Sequence, residues 1–190
     1  MQPSPPLTRN TIHSTLSTTW LGRRIELFDS IPSTNREAAR LAQADVEHGT
    51  VVVADCQTAG RGRLARTWFS PPGANLYCSA ILKAARPPER LTEWLSWLPL
   101  VSALAAAEAI EAVSSLHVSV KWPNDLLISE RKIGGILCES GTGTGSYPFQ
   151  VIGIGLNVNV EQQDWPEELR ESATSMWHEQ RHVVDRNRLL

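Results

Sequence analysis

Lys132-Ile133-Gly134-Gly135-Ile136-Leu137-Cys138-Glu139-Ser140 and Pro148-Phe149-Gln150-Val151-Ile152-Gly153-Ile154-Gly155-Leu156-Asn157-Val158-Asn159-Val160 are two apolar runs separated by Gly141-Thr142-Gly143-Thr144-Gly145-Ser146. Both are rich in Ile, Val and Leu with turn-forming residues between them, so they read as a β-hairpin. Strands joined this directly pair antiparallel, which argues against a parallel dinucleotide-binding sheet. The glycines inside the runs mark bulges or places where a ligand approaches the backbone. The glycine-rich connection lacks the lysine of a phosphate loop and leads into no helix, so it reads as a flexible hairpin loop.

Reading upstream, His117 to Lys121 and Leu126 to Ser129 look like short strands around the turn Trp122-Pro123-Asn124-Asp125. Leu91 to Val113 is the main helix, with Pro99 either in its true first turn or kinking it. Asn75 to Lys83 is an apolar strand ended by Pro87-Pro88, and Thr50 to Gln57 a buried strand. Arg24 to Asp29 alternates as a strand would. A helix then starts at Pro32-Ser33-Thr34-Asn35, capped by Ser33 or Thr34, with Glu37 completing a capping box with Thr34. It runs through Ala38, Ala39, Leu41 and Ala42 to near Ala44. Downstream, Pro166 to Arg170 and Ser172 to Trp177 read as short helical pieces. The expected fold class is α+β, an antiparallel-dominated sheet carrying helices.

Residues 1–20 read as a polar lead-in, partly disordered around Pro3, Pro5 and Pro6, and 21–190 as the domain. The lead-in's Arg, Ser and Thr content overlaps that of transit peptides, but an ordinary lead-in is the preferred reading. The 190-residue chain carries 18 basic and 20 acidic side chains, a formal net charge of -2. That balance argues against a nucleic-acid-coating protein. Cys56, Cys78 and Cys138 have no metal-binding spacing, and His13, His48, His117, His178 and His182 are scattered. Reduced thiols of this kind suit the cytoplasm. No apolar run approaches a membrane span, and there is no GxSxG motif.

Against this neutral background, Gly60-Arg61-Gly62-Arg63-Leu64-Ala65-Arg66-Thr67-Trp68 is a local cationic feature. Arginine grips carboxylate or phosphate oxygens bidentately, and glycine lets a backbone come close to a ligand. The stretch reads as a cover for a small anion. Ser33-Thr34-Asn35 is either a plain helix cap or a set of donors and acceptors for a neutral polar head group. Lys121-Trp122-Pro123-Asn124-Asp125 is either a hairpin turn or a cluster of hydrogen-bonding groups presented at one point.

Together these segments, with Ser70-Pro71-Pro72-Gly73-Ala74-Asn75-Leu76-Tyr77, Lys132-Ile133-Gly134-Gly135-Ile136-Leu137 and Gly153-Ile154-Gly155-Leu156-Asn157-Val158-Asn159, resemble the catalytic domain of biotin protein ligases. The order and spacing are family-like from about Leu21 to the chain end. The resemblance implies a class II aminoacyl-tRNA synthetase-like fold: a mixed, mostly antiparallel sheet backed by helices. It implies ATP and biotin as substrates with Mg²⁺, and transfer of biotin to a lysine of a biotin carboxyl carrier protein. By the family motif, Lys132, Arg61 and Arg63 are catalytic cations. Ser33, Thr34, Asn35, Gln57, Gly60, Arg61, Gly62, Arg63, Lys132 and Gly135 would bind biotin. Arg66, Trp68, Lys121, Asn124, Asp125 and Asn157 would bind ATP, with Asp125 linked to the metal. The Gly60–Trp68 loop would close over the acyl-adenylate.

The resemblance also sets expectations by what it lacks. No stretch before Ser33 matches a winged-helix DNA-binding domain, so operator binding is not expected. Asp185-Arg186-Asn187-Arg188-Leu189-Leu190 resembles the start of a helix that in the family continues into an SH3-like domain, so the domain reads as truncated. Leu64 and Ala65 replace the polar or glycine residues common in the lid. Homodimerisation through the sheet is compatible with the family, and no membrane association is expected. The rival readings are a lipoate ligase or octanoyl transferase of the same superfamily, a non-catalytic biotin-binding remnant, or a subunit that needs a second chain to complete it.

Overall fold

The computed structural model describes residues 4–83, 91–143 and 148–190. Its centre is a seven-stranded sheet formed by β1 (Ile25–Ile31), β2 (Val51–Gln57), β3 (Leu76–Lys83), β4 (Ser119–Lys121), β5 (Asp125–Ile128), β6 (Arg131–Thr142) and β7 (Pro148–Leu156). The strand order is β1-β2-β3-β7-β6-β5-β4. Only the β1–β2 pair is parallel; every other pair is antiparallel. The parallel pair is possible because a helix, α2 (Thr34–Gln43), makes the crossover between the two strands.

Strand alternation divides the sheet into two faces. Val52, Ile81, Phe149 and Val151 pack under α2 with Ala38 and Ala42. Val51, Val53, Cys78 and Ile152, their neighbours in sequence or register, face the other way. There they meet Ala103, Ala106, Ala107 and Ile110 of α3 (Leu91–Val113). A mixed sheet with helices on both faces is thus the observed form of the expected α+β fold.

Several local expectations are corrected. Pro99 lies well inside α3 rather than in its first turn. By length and composition alone, Leu95–Val113 is apolar enough to cross a membrane, at a mean hydropathy of 1.3. That contradicts the expectation that no run approaches a span; here one side of the helix is buried against the sheet. The capping box does not form. Ser33 is the N-cap, without a side-chain cap bond, and Thr34 is already helical. Glu37 turns instead to Arg40 at 2.6 Å, which holds its carboxyl below the usual range.

Among the described residues the polar lead-in contains a helix, α1 (Arg9–Thr15), while Pro3 lies outside them. It clips onto the other end of the chain. The Thr8 N–H donates to Asn187 Oδ1 at 3.1 Å, and Asn187 Nδ2 donates to the Pro6 carbonyl at 3.1 Å. Long-range bonds of this kind leave no mark in local composition. The hairpin is longer than its apolar runs suggest: β6 continues through Gly141-Thr142, where the Phe149 ring occupies the space a Gly141 side chain would need. The rest of the expected connection, from Thr144 to Ser146, lies outside the described residues, as does Pro87-Pro88.

Ser172 to Trp177 is not one helical piece. Ser172 ends a turn and Ala173 forms a bridge beside Lys132. Helix α4 (Met176–Gln180) begins only after Ser175, whose hydroxyl caps the His178 N–H at 3.1 Å. The backbone of Lys132 decides this: its N–H donates to the Ser172 carbonyl, and its own carbonyl accepts from Thr174 N–H.

Candidate active site

The two-residue period of the strands builds the floor of a cavity on the α2 face. Tyr77 of β3 stands opposite Gly155 of β7, which stands opposite Gly135 of β6, which stands opposite Asp125 of β5. One row over run Ser79, Gly153 and Leu137, and beyond them Ile81, Val151 and Glu139. The first two rows cross glycines, so a trough is cut into the sheet where the third row is filled by Val151 and Ile81. The resulting cavity of about 580 Å³ is within the range of small-molecule sites.

The sequence-predicted glycines are therefore explained by side chains of the protein as much as by ligand approach. A Cβ on Gly153 would sit 2.0 Å from Asn35 Oδ1. One on Gly155 would sit 2.8 Å from the Trp68 indole. A bulge in β6 completes the floor. Leu126 pairs with Gly134 and Leu127 with Lys132, so Ile133 is the extra residue. Ile133 drops into the core while Lys132 comes round to the side of Gly135, its Cε 3.3 Å from where a Gly135 Cβ would lie.

At the head of α2, Thr34 N–H and Oγ1 both bond to Gln57 Oε1, at 2.8 and 3.2 Å. Gln57 Nε2 donates to Ser70 Oγ at 3.1 Å. Asn35 Nδ2 donates to the Leu137 carbonyl at 3.0 Å and to Glu139 Oε2 at 2.8 Å, and its Oδ1 accepts from Ser79 Oγ at 2.6 Å. Of the Ser33-Thr34-Asn35 triplet, then, only the buried Ser33 hydroxyl is left outside this web. At the other end, Lys132 Nζ contacts Asp125 Oδ1 at 2.6 Å. Asn157 braces that corner, its Nδ2 donating to the Lys132 carbonyl at 3.2 Å.

The arginine stretch forms a tight hairpin over the floor. Gly62 N–H donates to the Arg66 carbonyl at 2.7 Å, and Trp68 N–H to the Gly60 carbonyl at 2.9 Å. Leu64 and Ala65 at its tip have φ of 57° and 59°, the left-handed region. Arg61 Nη2 reaches both oxygens of Glu139, at 2.9 and 2.8 Å, while Arg63 Nη1 donates to Asn124 Oδ1 at 2.8 Å. Trp68 lies across Gly155 and Gly135 with Lys132 Nζ 5.4 Å from its ring. Its buried indole N–H has no partner among the described residues, a donor that a ligand oxygen could satisfy.

Of the residues singled out from sequence, Ser33, Thr34, Asn35, Gln57, Arg61, Gly62, Arg63, Arg66, Trp68, Lys121, Asn124, Asp125, Lys132, Gly135 and Asn157 line this one cavity. Gly60 does not. It lies beneath the hairpin, where a side chain would strike Ser70 Oγ at 2.5 Å. Sequence reading missed Glu139 and Ser79, which hold Arg61 and Asn35. It also missed Trp165, Leu169 and Ser172, which close the far wall. Glu139 and Ser79 could have been found from the period of two, since they share a face with Gly135 and Tyr77. No group of three or more metal-ligating side chains occurs among the described residues. Asp125 is a single carboxylate already facing an ammonium, which suits a magnesium ion carried in on phosphate oxygens rather than a protein cage.

Residues 27–159 match the biotin/lipoate A/B protein ligase family, and the chain belongs to that family. It is 38% identical over 180 residues to the bifunctional ligase/repressor BirA of Bacillus spizizenii, covering 95% of this chain and 54% of that protein. To the biotin–[acetyl-CoA-carboxylase] ligase of Mycobacterium tuberculosis it is 34% identical over 188 residues, covering 97% and 67%. Among solved structures it resembles the biotin protein ligase of Aquifex aeolicus in complex with biotin and ATP. The TM-score is 0.72 at 35% identity, over 88% of this chain and 65% of that one. The sheet with its helices is thus the class II aminoacyl-tRNA synthetase-like fold of these ligases. The chain spans about half the length of the Bacillus relative.

Proposed function

We propose that this chain is the catalytic domain of a biotin–protein ligase. In the first step a biotin carboxylate oxygen bonds to the α-phosphorus of MgATP. The bond between that phosphorus and the bridging oxygen of the β-phosphate breaks, and pyrophosphate leaves with the electron pair. In the second step the neutral amine of a carrier-protein lysine attacks the acyl carbon; AMP leaves and a proton is lost from the new amide nitrogen. The carrier is a biotin carboxyl carrier protein, and the reaction belongs in the cytoplasm, where thiols stay reduced; Cys56, Cys78 and Cys138 are all free.

The observation that carries the reading is the corner formed by Lys132, Asp125 and Asn157 beneath an arginine hairpin. Joining a carboxylate to a polyphosphate brings like charges together, so fixed cations at the junction lower the barrier. Lys132 supplies one such cation on a strand whose backbone is held from both sides. Arg61 and Arg63 supply others from above, and the hairpin that carries them shields the anhydride from water. The web of Thr34 and Gln57, with the Ser33 hydroxyl left outside it, offers the paired donors and acceptors that a ureido ring requires. Asn124, Lys121 and Arg66 surround the nucleotide end. Magnesium, when bound with ATP, would offset phosphate charge beside Asp125.

The test is biotin-dependent exchange of labelled pyrophosphate into ATP by the purified 190-residue chain. Exchange with biotin and none with lipoate is expected. Exchange that follows lipoate instead, or no exchange with either, would overturn the proposal.

A further inference from the structure

Ser70 is buried and does not line the cavity, yet its hydroxyl faces Gln57, which does. At one end of the Gln57 carboxamide, the Thr34 backbone N–H meets Oε1 at 2.8 Å. A backbone N–H can only donate, so the oxygen must lie at that end. The nitrogen end is then turned to Ser70, and Nε2 donates to Ser70 Oγ at 3.1 Å. The single hydrogen of the Ser70 hydroxyl goes to the Trp68 carbonyl at 3.0 Å, which leaves only acceptor capacity toward Gln57. The neighbours on both sides therefore agree on the orientation of this amide.

The last torsion of a glutamine side chain is broad, so an amide held at its oxygen alone still swings about that point. A bond at the nitrogen end fixes the plane, and among the described residues Ser70 makes that bond. The second Nε2 hydrogen of Gln57 then has a set direction. Ser70 is itself held by the sheet. Its carbonyl accepts from Cys56 Sγ at 3.4 Å, the next carbonyl, of Pro71, accepts from the Tyr77 hydroxyl at 3.1 Å, and the Gly73 N–H donates to Asp55 Oδ2 at 2.9 Å. Burial pushes the Tyr77 phenol far above its ordinary range, so it stays a donor. Asp55 is fixed in turn by the fully buried Arg186, at 2.7 Å. Cys56, Asp55 and Gln57 all lie on β2, so loop and amide share one foundation.

We propose that Ser70 is a positioning residue for the head-group end of the cavity: it fixes the carboxamide plane of Gln57 and so aims the remaining Gln57 N–H. A ligand carbonyl, such as that of a cyclic urea, meets a directed donor there. A freely turning amide would lose rotational freedom in making the same bond. This role rests on the ligase reading for its ligand, whereas the fixed amide is a property of the protein alone.

The experiment compares Ser70→Ala, Gln57→Ala and the double variant. It uses calorimetric titration with biotin and ¹⁵N relaxation of the Gln57 side-chain amide in the unliganded chain. Ser70→Ala is expected to weaken biotin binding about 5-fold and Gln57→Ala about 10-fold, with the double variant no weaker than Gln57→Ala. The Gln57 amide should become mobile on the ps–ns timescale in Ser70→Ala, while the Ile152 backbone amide in the core stays rigid. A residue that merely braced its loop would add its effect to that of Gln57→Ala and would leave the Gln57 amide unmoved. An unmoved Gln57 amide, additive effects in the double variant, or a loosened Ile152 would each overturn the positioning role. In pyrophosphate exchange, KM for biotin is expected to rise about 5-fold in Ser70→Ala with kcat nearly unchanged; a fall in kcat alone would overturn the role as well. A wild-type chain that binds no biotin, with its Gln57 amide still freed by Ser70→Ala, would sink the ligase reading and leave the Ser70 role standing. Normal biotin binding with an unmoved Gln57 amide would do the reverse.

Discussion

The floor of the site and its lid are made in opposite ways. On the floor the main polar groups have partners within the protein: Asn35 has three, Gln57 has bonds at both ends, and the Lys132 backbone is held by Ser172 and Thr174. In the lid, Arg61 contacts Glu139, Arg63 contacts Asn124 and Trp68 packs over Gly155, while the tip residue Leu64 is 85% exposed in a left-handed conformation. The floor's polar groups are held by partners in the core, whereas the tip of the lid is exposed to solvent. The proposed reaction, which admits two substrates and then protects a reactive intermediate, would use both kinds of surface.

The sharpest way to break this contrast is at the floor's half-buried cation. Lys132→Ala is expected to lower the rate of the first half-reaction by about 10²–10³-fold, the loss typical when one preorganised charge donor is removed. The change should fall on adenylate formation and leave the fold intact, because among the described residues the Lys132 ammonium pairs with Asp125 and lies over the face of Trp68. A single-turnover assay of pyrophosphate release checks it. Near wild-type release would show that the arginines of the lid, and not the floor, carry the charge stabilisation.

Next in size is a test of how tightly the floor is built. In Gly153→Ala the new methyl would lie 2.0 Å from Asn35 Oδ1 and 2.8 Å from its Cγ. Neither atom can retreat without breaking bonds to Ser79 and Leu137, so a loss of about 1–3 kcal/mol in stability is expected, as for overpacking in a core. Denaturant melts measure it. Adding Asn35→Ala should give part of that loss back, because it removes the atoms that clash. Failure of the second change to relieve the first would mean that the trough is set by the backbone and not by Asn35.

Both tests concern residues whose legibility in the sequence was uneven, for a physical reason. The hairpin, the buried strands and the α2 start were readable because local pattern decides them: apolar runs, turn residues between them, a cap followed by alanines. The site residues were readable as motifs, and the strand period of two then gathers them on one face. What was not readable is pairing across the chain. The capping box failed because Glu37 had a nearer partner in Arg40, and Thr34 was claimed by Gln57. Ala173 bridges to Lys132 instead of entering a helix because Lys132, far back along the chain, pairs its backbone groups with Ser172 and Thr174. The lead-in is clipped to the domain because Asn187 reaches back to it. Gly153 announced a close approach but could not say that the visitor was Asn35.

The smallest effect belongs to the lid, and it has the opposite sign. A left-handed conformation costs an L-residue roughly 1–2 kcal/mol, while glycine adopts it freely and loses about 0.5–1 kcal/mol through its floppier unfolded chain. Leu64→Gly should therefore be neutral to stabilising by up to about 1 kcal/mol, since the exposed Leu64 side chain gives up almost no burial. Slower exchange at the Gly62 and Trp68 amides is the expected signature. If that happens while the floor variants behave as argued, the lid's hold is a matter of its side-chain contacts and a strained tip, each adjustable by one residue. If Leu64→Gly instead loosens the lid, its side chain must pack on something when the hairpin is closed, and the exposed Trp122 of the β4–β5 turn is the first surface to examine.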